Sequence, residues 1–145
     1  MITADSAARL KRACIVLIGA HSLALGFAML FWPRHTLELF RWPPVDNLFF
    51  PSQSGIFLMI LGAAYLAALW HDDLVWLILA SKTAAVLFLF GHVVLAGAPV
   101  QVMLAGIGDA GFGLLMGGLV LMEHRATAIA AAGESAPAAG QRSAD

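Results

Sequence analysis

Four stretches of this chain are almost free of charge: Ala13 to Trp32, Pro51 to Trp70, Leu74 to Ala96 and Val100 to Met122. Each is 20 to 23 residues long. A helix of that length, rising about 1.5 Å per residue, crosses the roughly 30 Å hydrocarbon core of a bilayer. Only Lys82 and Asp109 carry a formal charge inside these stretches, where random placement would leave about ten charged residues. No run alternates polar and apolar residues over the length a membrane β-strand needs, and uninterrupted apolar runs of this size do not occur in barrel strands. The expected fold is all-α, a four-transmembrane-helix bundle.

Composition closes several other routes. Charged residues make up 12% of the chain and hydrophobic residues 61%, against roughly 25% charged in an ordinary soluble domain. A net charge of -1 with scattered basic residues offers no concentrated Lys/Arg face, so no nucleic acid is expected as a partner. Cys14 is the single cysteine and lies in an apolar run, which leaves no intrachain disulfide, CxxC pair or thiolate zinc site. It reads as a small buried hydrophobe.

The chain divides into an N-terminal segment (1–12), a four-span membrane domain (13–122) and a tail (123–145) rich in Ala, Gly, Ser and Pro, expected to be disordered or frayed. The first span follows Arg9, Lys11 and Arg12, but its apolar part is too long for a signal peptide and Phe31-Trp32-Pro33-Arg34 offers no small-residue cleavage site, so it is expected to be retained. Arg9, Lys11, Arg12 and Arg125 outweigh Arg34 and Arg41, which places both termini in the cytoplasm by the positive-inside rule. Between the first two spans, apolar Leu37, Leu39, Phe40 and Trp42 mix with His35, Glu38 and Arg41. A short interfacial amphipathic helix ending before Pro43-Pro44 follows, either a connector lying on the bilayer or a lid over a site between the helices. The short turns at His71-Asp72-Asp73 and Gly97-Ala98-Pro99 make spans two and three, and three and four, antiparallel neighbours.

The polar residues inside the spans are the functional candidates, since an ionised side chain at mid-bilayer costs roughly 2.5 to 3.5 kcal/mol on insertion scales and needs a partner or water. Lys82 and Asp109 fall at comparable depth, within reach of a lysine stem. Side chains lean toward the N-terminus of their own helix, however, so in antiparallel spans these two diverge. Three readings stay open: Lys82 snorkels while Asp109 bonds within the bundle, the two form a structural pair, or they make a working proton or ligand site. Gly106, Asp109, Gly113 and Gly117 share one sector of span four, with Gly113 and Gly117 in a GxxxG pattern that makes this span the expected site of closest packing. Lys82, Ala85, Leu89 and His92 share a sector of span three. His21 and Tyr65 could join Lys82 and Asp109 in an inner cluster, and His92, Gln101, Ser52, Gln53 and Ser54 a second polar pocket nearer the other surface. The plain alternatives are a hydrogen-bonded packing histidine and the wet end of a bundle. There is no metal-ligand spacing, no nucleophile motif and no phosphate loop, so no metal and no cofactor are expected.

The segments Gly55-Ile-Phe-Leu-Met-Ile-Leu-Gly62-Ala-Ala-Tyr65, Ser81-Lys82 and Gly108-Asp109 resemble the small four-helix membrane proteins of the DoxX-like grouping, over about Ala13 to Met122. The resemblance implies a multi-pass bundle in a bacterial cytoplasmic (inner) membrane, often a partner of redox proteins. It transfers no catalytic residue, because no cysteine redox motif is present. Three functions follow as expectations. The leading one is a non-enzymatic accessory or assembly subunit, as a homo-oligomer or beside another membrane protein. The second is a binder or transporter of a small lipophilic molecule, such as a quinone, or of a cation. The third is an intramembrane lipid-modifying enzyme, which requires His21 or His92 to share a lipid-accessible cavity with Asp109.

Overall fold

The computed structural model describes residues 4–134, with side chains for residues 5–129. Its helices are α1 (Ala4–Phe31), α2 (Pro33–Leu39), α3 (Phe49–Ala67), α4 (Val75–Ala96) and α5 (Val102–Glu134), with a 3-10 turn at Asp72–Leu74 before α4. Four of these are long and apolar enough to cross a membrane; the chain is a small multi-pass membrane protein. The interfacial segment is α2. Pro33 starts it, as suits a residue with no backbone N–H to lose.

The tail departs from expectation. α5 runs on to Glu134, through residues 123–134 that were expected to lack structure. The stretch from Ala126 to Ala132 is alanine-rich, and extending an existing helix through the best helix former carries no nucleation cost. The rest of the expected tail, 135–145, lies outside the described residues.

In space the spans follow the order α3, α1, α5, α4: α1 packs most extensively on α3 and also on α5, α4 packs on α5, and α3 scarcely touches α4 despite the short turn joining them. A short connection sets direction but does not force two helices together along their length.

The closest approach is not on the final span. Gly19 and Gly26 of α1 meet Gly62 and Gly55 of α3 in antiparallel register. A Cβ on Gly26 would lie 2.7 Å from the Gly55 carbonyl oxygen, and one on Gly55 would lie 2.6 Å from the Gly26 carbonyl oxygen. Each pair is spaced by seven residues, so the small positions recur on one face and the backbones touch. By contrast, Gly113 and Gly117 meet only side chains of α4, at ordinary contact distance. A GxxxG pattern drew attention to α5, whereas seven-residue spacing on two other helices does the tighter packing.

The apolar core lies at one end. Cys14, Ile15 and Ile18 of α1, Tyr65 of α3, Ala68, Val75 and Ile78 around the turn into α4, and Met116 and Leu119 of α5 form one buried cluster, all in the half of the bundle nearest the termini. Just beyond it, Lys11 donates to Glu123 at 2.6 Å and to Asp72 at 3.3 Å, tying α1 to α5 and to the α3–α4 turn. The half nearer α2 is held by the Gly26–Gly55 contact and by Gly106 against the Phe90 ring, and it contains open space. Gly26→Ala and Gly55→Ala should each destabilise the protein by about 1–3 kcal/mol, because the added methyl meets backbone that cannot rotate away. Denaturant titration in mild detergent measures this, with Gly118→Ala, which meets open space, as the unaffected control.

Candidate intramembrane site

Lys82 and Asp109 meet at the boundary between the packed and hollow halves. Nζ donates to Asp109 Oδ1 at 2.6 Å, and the side chains are 7% and 16% exposed. Their opposite lean is overcome by the length of lysine. Lys82 Cβ lies across from Gly113, and the stem runs from there along α5 by one helical turn to Asp109, about 6 Å. With no side chain at Gly113, the stem can lie against the α5 backbone. The Asp109–Gly113 spacing of four residues was therefore the sequence signal for the pair.

Aromatic rings complete its surroundings. Nζ stands 5.6 Å from the Tyr65 ring centroid and 5.7 Å from that of Phe112, close enough for the ring faces to attract the ammonium. Tyr65 is buried. Its hydroxyl is held by Ser81, whose own proton goes to the carbonyls of Leu77 and Ile78, which makes Tyr65 the donor. The His21 ring sits 5.5 Å from Phe112. The expected inner grouping of His21, Tyr65, Lys82 and Asp109 is thus brought together, with Phe112 between histidine and lysine. Phe112 was not singled out from sequence, although it lies three residues beyond Asp109 and so on its face.

Two adjoining cavities open from this point. One, about 290 Å³, is lined by His21, Ser22, Lys82, Asp109 and Gly108 with apolar neighbours. The other, about 570 Å³, lies on the α2 side and is lined by residues of all four spans, among them Met29, Ala85, Leu89 and Val102, together with Leu37, Phe40 and Trp42 of α2 and the residues after it. Leu25, Phe40, Leu58, Ala105 and Asp109 line both, so an apolar space and a more polar one adjoin at these residues. The Lys82–Asp109 pair also borders a groove of about 320 Å³ between α4 and α5, with Thr83, Val86 and Leu114. Of the two readings of the interfacial segment, the lid describes it better.

The lid is fixed by its own cap. Arg41 takes a left-handed conformation at φ 53, the Arg41 N–H donates to Glu38 O, and the Trp42 N–H donates to Leu37 O. That is the Schellman termination of a helix, which ordinarily places glycine where Arg41 stands. It turns the chain so that Leu37 and Trp42, the two residues such a cap brings together, both face the cavity.

The second expected polar pocket is not formed. His92 is exposed, stacks on Phe88 and bonds to the Phe88 carbonyl; it shares a helical sector with Lys82 by count but turns away from the cavity. Gln53 and Gln101 are half-buried and neither lines the space. Ser54 bonds to Phe50 O in its own helix. The space beneath α2 is apolar instead, because apart from Asp109 the residues of α1, α4 and α5 that face it are Leu, Met, Ala, Phe and Val. The triad of Lys11, Asp72 and Glu123 was also missed: Lys11 was read for orientation, Asp72 as a turn residue and Glu123 as the start of the tail, yet all three lie at the same end of the bundle. No protein-family model, curated protein or solved structure matches this chain.

Two expectations follow. Lys82→Met and Asp109→Leu should each destabilise the bundle by roughly 3 kcal/mol, since each strands a charge in low dielectric, whereas the double variant should return to within about 1 kcal/mol of the parent. A double-mutant cycle of unfolding in detergent checks this. Arg41→Gly should raise stability by up to about 1 kcal/mol by relieving the left-handed conformation, read as a higher midpoint of thermal unfolding.

Proposed function

We propose that this membrane protein binds a small lipophilic molecule within the bilayer, its apolar part beneath α2 and its polar part at Lys82, Asp109 and His21. The observation that carries this reading is the pair of adjoining spaces, one apolar and one bordered by Lys82, Asp109 and His21, in a half of the bundle that packing would otherwise fill. Its volumes fall in the range of small-molecule sites, roughly 300–1,000 Å³, and its mostly apolar lining with a few convergent polar groups has their usual composition.

Other readings are weaker on the same grounds. The accessory-subunit reading drew on glycine-rich faces and the lack of catalytic motifs; on α5, Gly106, Gly113 and Gly117 meet α4 of the same chain, while Gly108, Gly111 and Gly118 meet nothing within 4 Å. An enzyme acting on a lipid needs a histidine and Asp109 on one cavity; His21 meets that condition, but Asp109 Oδ1 is already hydrogen-bonded to Lys82. Kinship with the DoxX-like proteins is proposed on the Gly55 to Tyr65, Ser81-Lys82 and Gly108-Asp109 segments. Placement in a bacterial inner membrane with cytoplasmic termini is proposed on that kinship and on the basic residues flanking the spans.

The test uses Trp42, the only tryptophan lining the space. With Trp32, Trp70 and Trp76, all exposed, replaced by Phe, a long-chain bromoalkanol should quench Trp42 fluorescence in nanodiscs and saturate at one probe per chain. Ala85→Phe/Ala105→Phe, which fills the space, should weaken binding at least tenfold. Quenching that rises without saturation, as for partition into lipid, would overturn the reading.

A further inference from the structure

The binding reading leaves open what kind of head group the polar end takes, and the side chains there constrain it. Three titratable groups line the space: Lys82, Asp109 and His21. The first two neutralise each other at 2.6 Å. A charged head would enter a region of low dielectric whose fixed charges already cancel. An ammonium drawn to Asp109 would stand beside Lys82, and a carboxylate drawn to Lys82 would stand beside Asp109; in either case one charge is left without a partner, which is costly away from water.

Hydrogen-bonding capacity, by contrast, is left over. Lys82 has three N–H donors, and its only hydrogen bond to protein among the described residues is to Asp109 Oδ1. The same bond is the only one to Asp109, so Oδ2 keeps its lone pairs. No buried side-chain nitrogen or oxygen among the described residues lacks a partner, so Asp109 Oδ2, which has none, is open to one of the spaces that Asp109 borders. The Ser22 hydroxyl and the His21 ring lie beside it on the same wall. A donor and an acceptor are therefore offered side by side, at the foot of an apolar channel that runs from Asp109 to Val102, about 10 Å along α5.

Building on the proposal that the space holds a lipophilic molecule, we infer that the ligand is an uncharged amphiphile whose hydroxyl or carbonyl head bonds to the Lys82–Asp109 pair without breaking it. A hydroxyl matches both partners, donating to Oδ2 and accepting from Nζ; a carbonyl matches Nζ alone. The pair serves as a neutral, preorganised socket, and the cavity discriminates against lipids by charge before it discriminates by shape.

The experiment compares ω-bromoalkyl probes of equal chain length bearing a hydroxyl, a carboxylate, a trimethylammonium or no head group, each titrated against Trp42 fluorescence in the single-tryptophan protein at neutral pH. The expected result is saturable binding of the alcohol at least tenfold tighter than of either ion or of the bare alkane. In Lys82→Met/Asp109→Leu, which keeps the volume and removes the hydrogen bonds, alcohol and alkane should bind alike. Equal or tighter binding of an ion, or an alcohol advantage that survives in the double variant, would overturn the neutral-head assignment while leaving a lipophile site intact. Absence of saturable binding by all four probes would instead overturn the binding reading itself.

Discussion

The bond between Lys82 and Asp109 is the constraint around which the bundle is arranged. Two charges in hydrocarbon are tolerable only together, and holding them together sets the relation of α4 to α5: Lys82 Cβ against Gly113, the stem along one turn, the ammonium at Asp109 and near the rings of Tyr65 and Phe112. A pair of this kind adds little net stability over an apolar substitute but penalises every arrangement that separates it. It therefore selects one register of α4 on α5, and that register brings Ala85, Leu89 and Ala105 onto the cavity wall.

On either side of the pair the bundle has opposite character. Toward the termini, Ile15, Ile18, Tyr65, Ile78 and Met116 fill the interior, and Lys11 clamps the end through Glu123 and Asp72. Toward α2 the interior is more open, with α1 and α3 touching backbone to backbone at Gly26 and Gly55 and α5 meeting α4 at Gly106 and Phe90. Lipid supplies no hydrophobic drive for helices to associate, so close van der Waals contact has to supply it. With α3 anchored to α1 and α4 to α5, the seam between α3 and α4 is free to stay wide. The hollow half thus follows from where the tight contacts are.

The candidate site was partly legible. An intramembrane lysine and aspartate draw attention on energetic grounds alone, and His21 fell at the depth of Lys82; the pair forms beside the Tyr65 ring, and His21 lines the same space across Phe112. His92 satisfied the same periodicity and yet turns outward to stack on Phe88, because a helical sector of some 80° is wider than the strip that faces a cavity. Gln53 and Gln101 were grouped by depth, which says nothing about direction. Leu37, Phe40 and Trp42 were read as interfacial anchors with a lid as the alternative, and it took the cap at Arg41, a left-handed residue where glycine would be usual, to turn them over the space.

The amino-acid order by itself determined that this chain crosses a membrane with four helices, that a short amphipathic helix separates the first two, and that two charges inside the spans require explanation. Those conclusions rest on transfer from water to hydrocarbon, which sums residue by residue and needs no knowledge of neighbours. Only the tertiary structure decided that the charges pair, that α1 and α3 rather than α5 make the closest contact, and that an apolar space opens beneath α2. Those features depend on tilt, rotation and depth of one helix against another, and they are set by a few contacts between residues far apart in the chain.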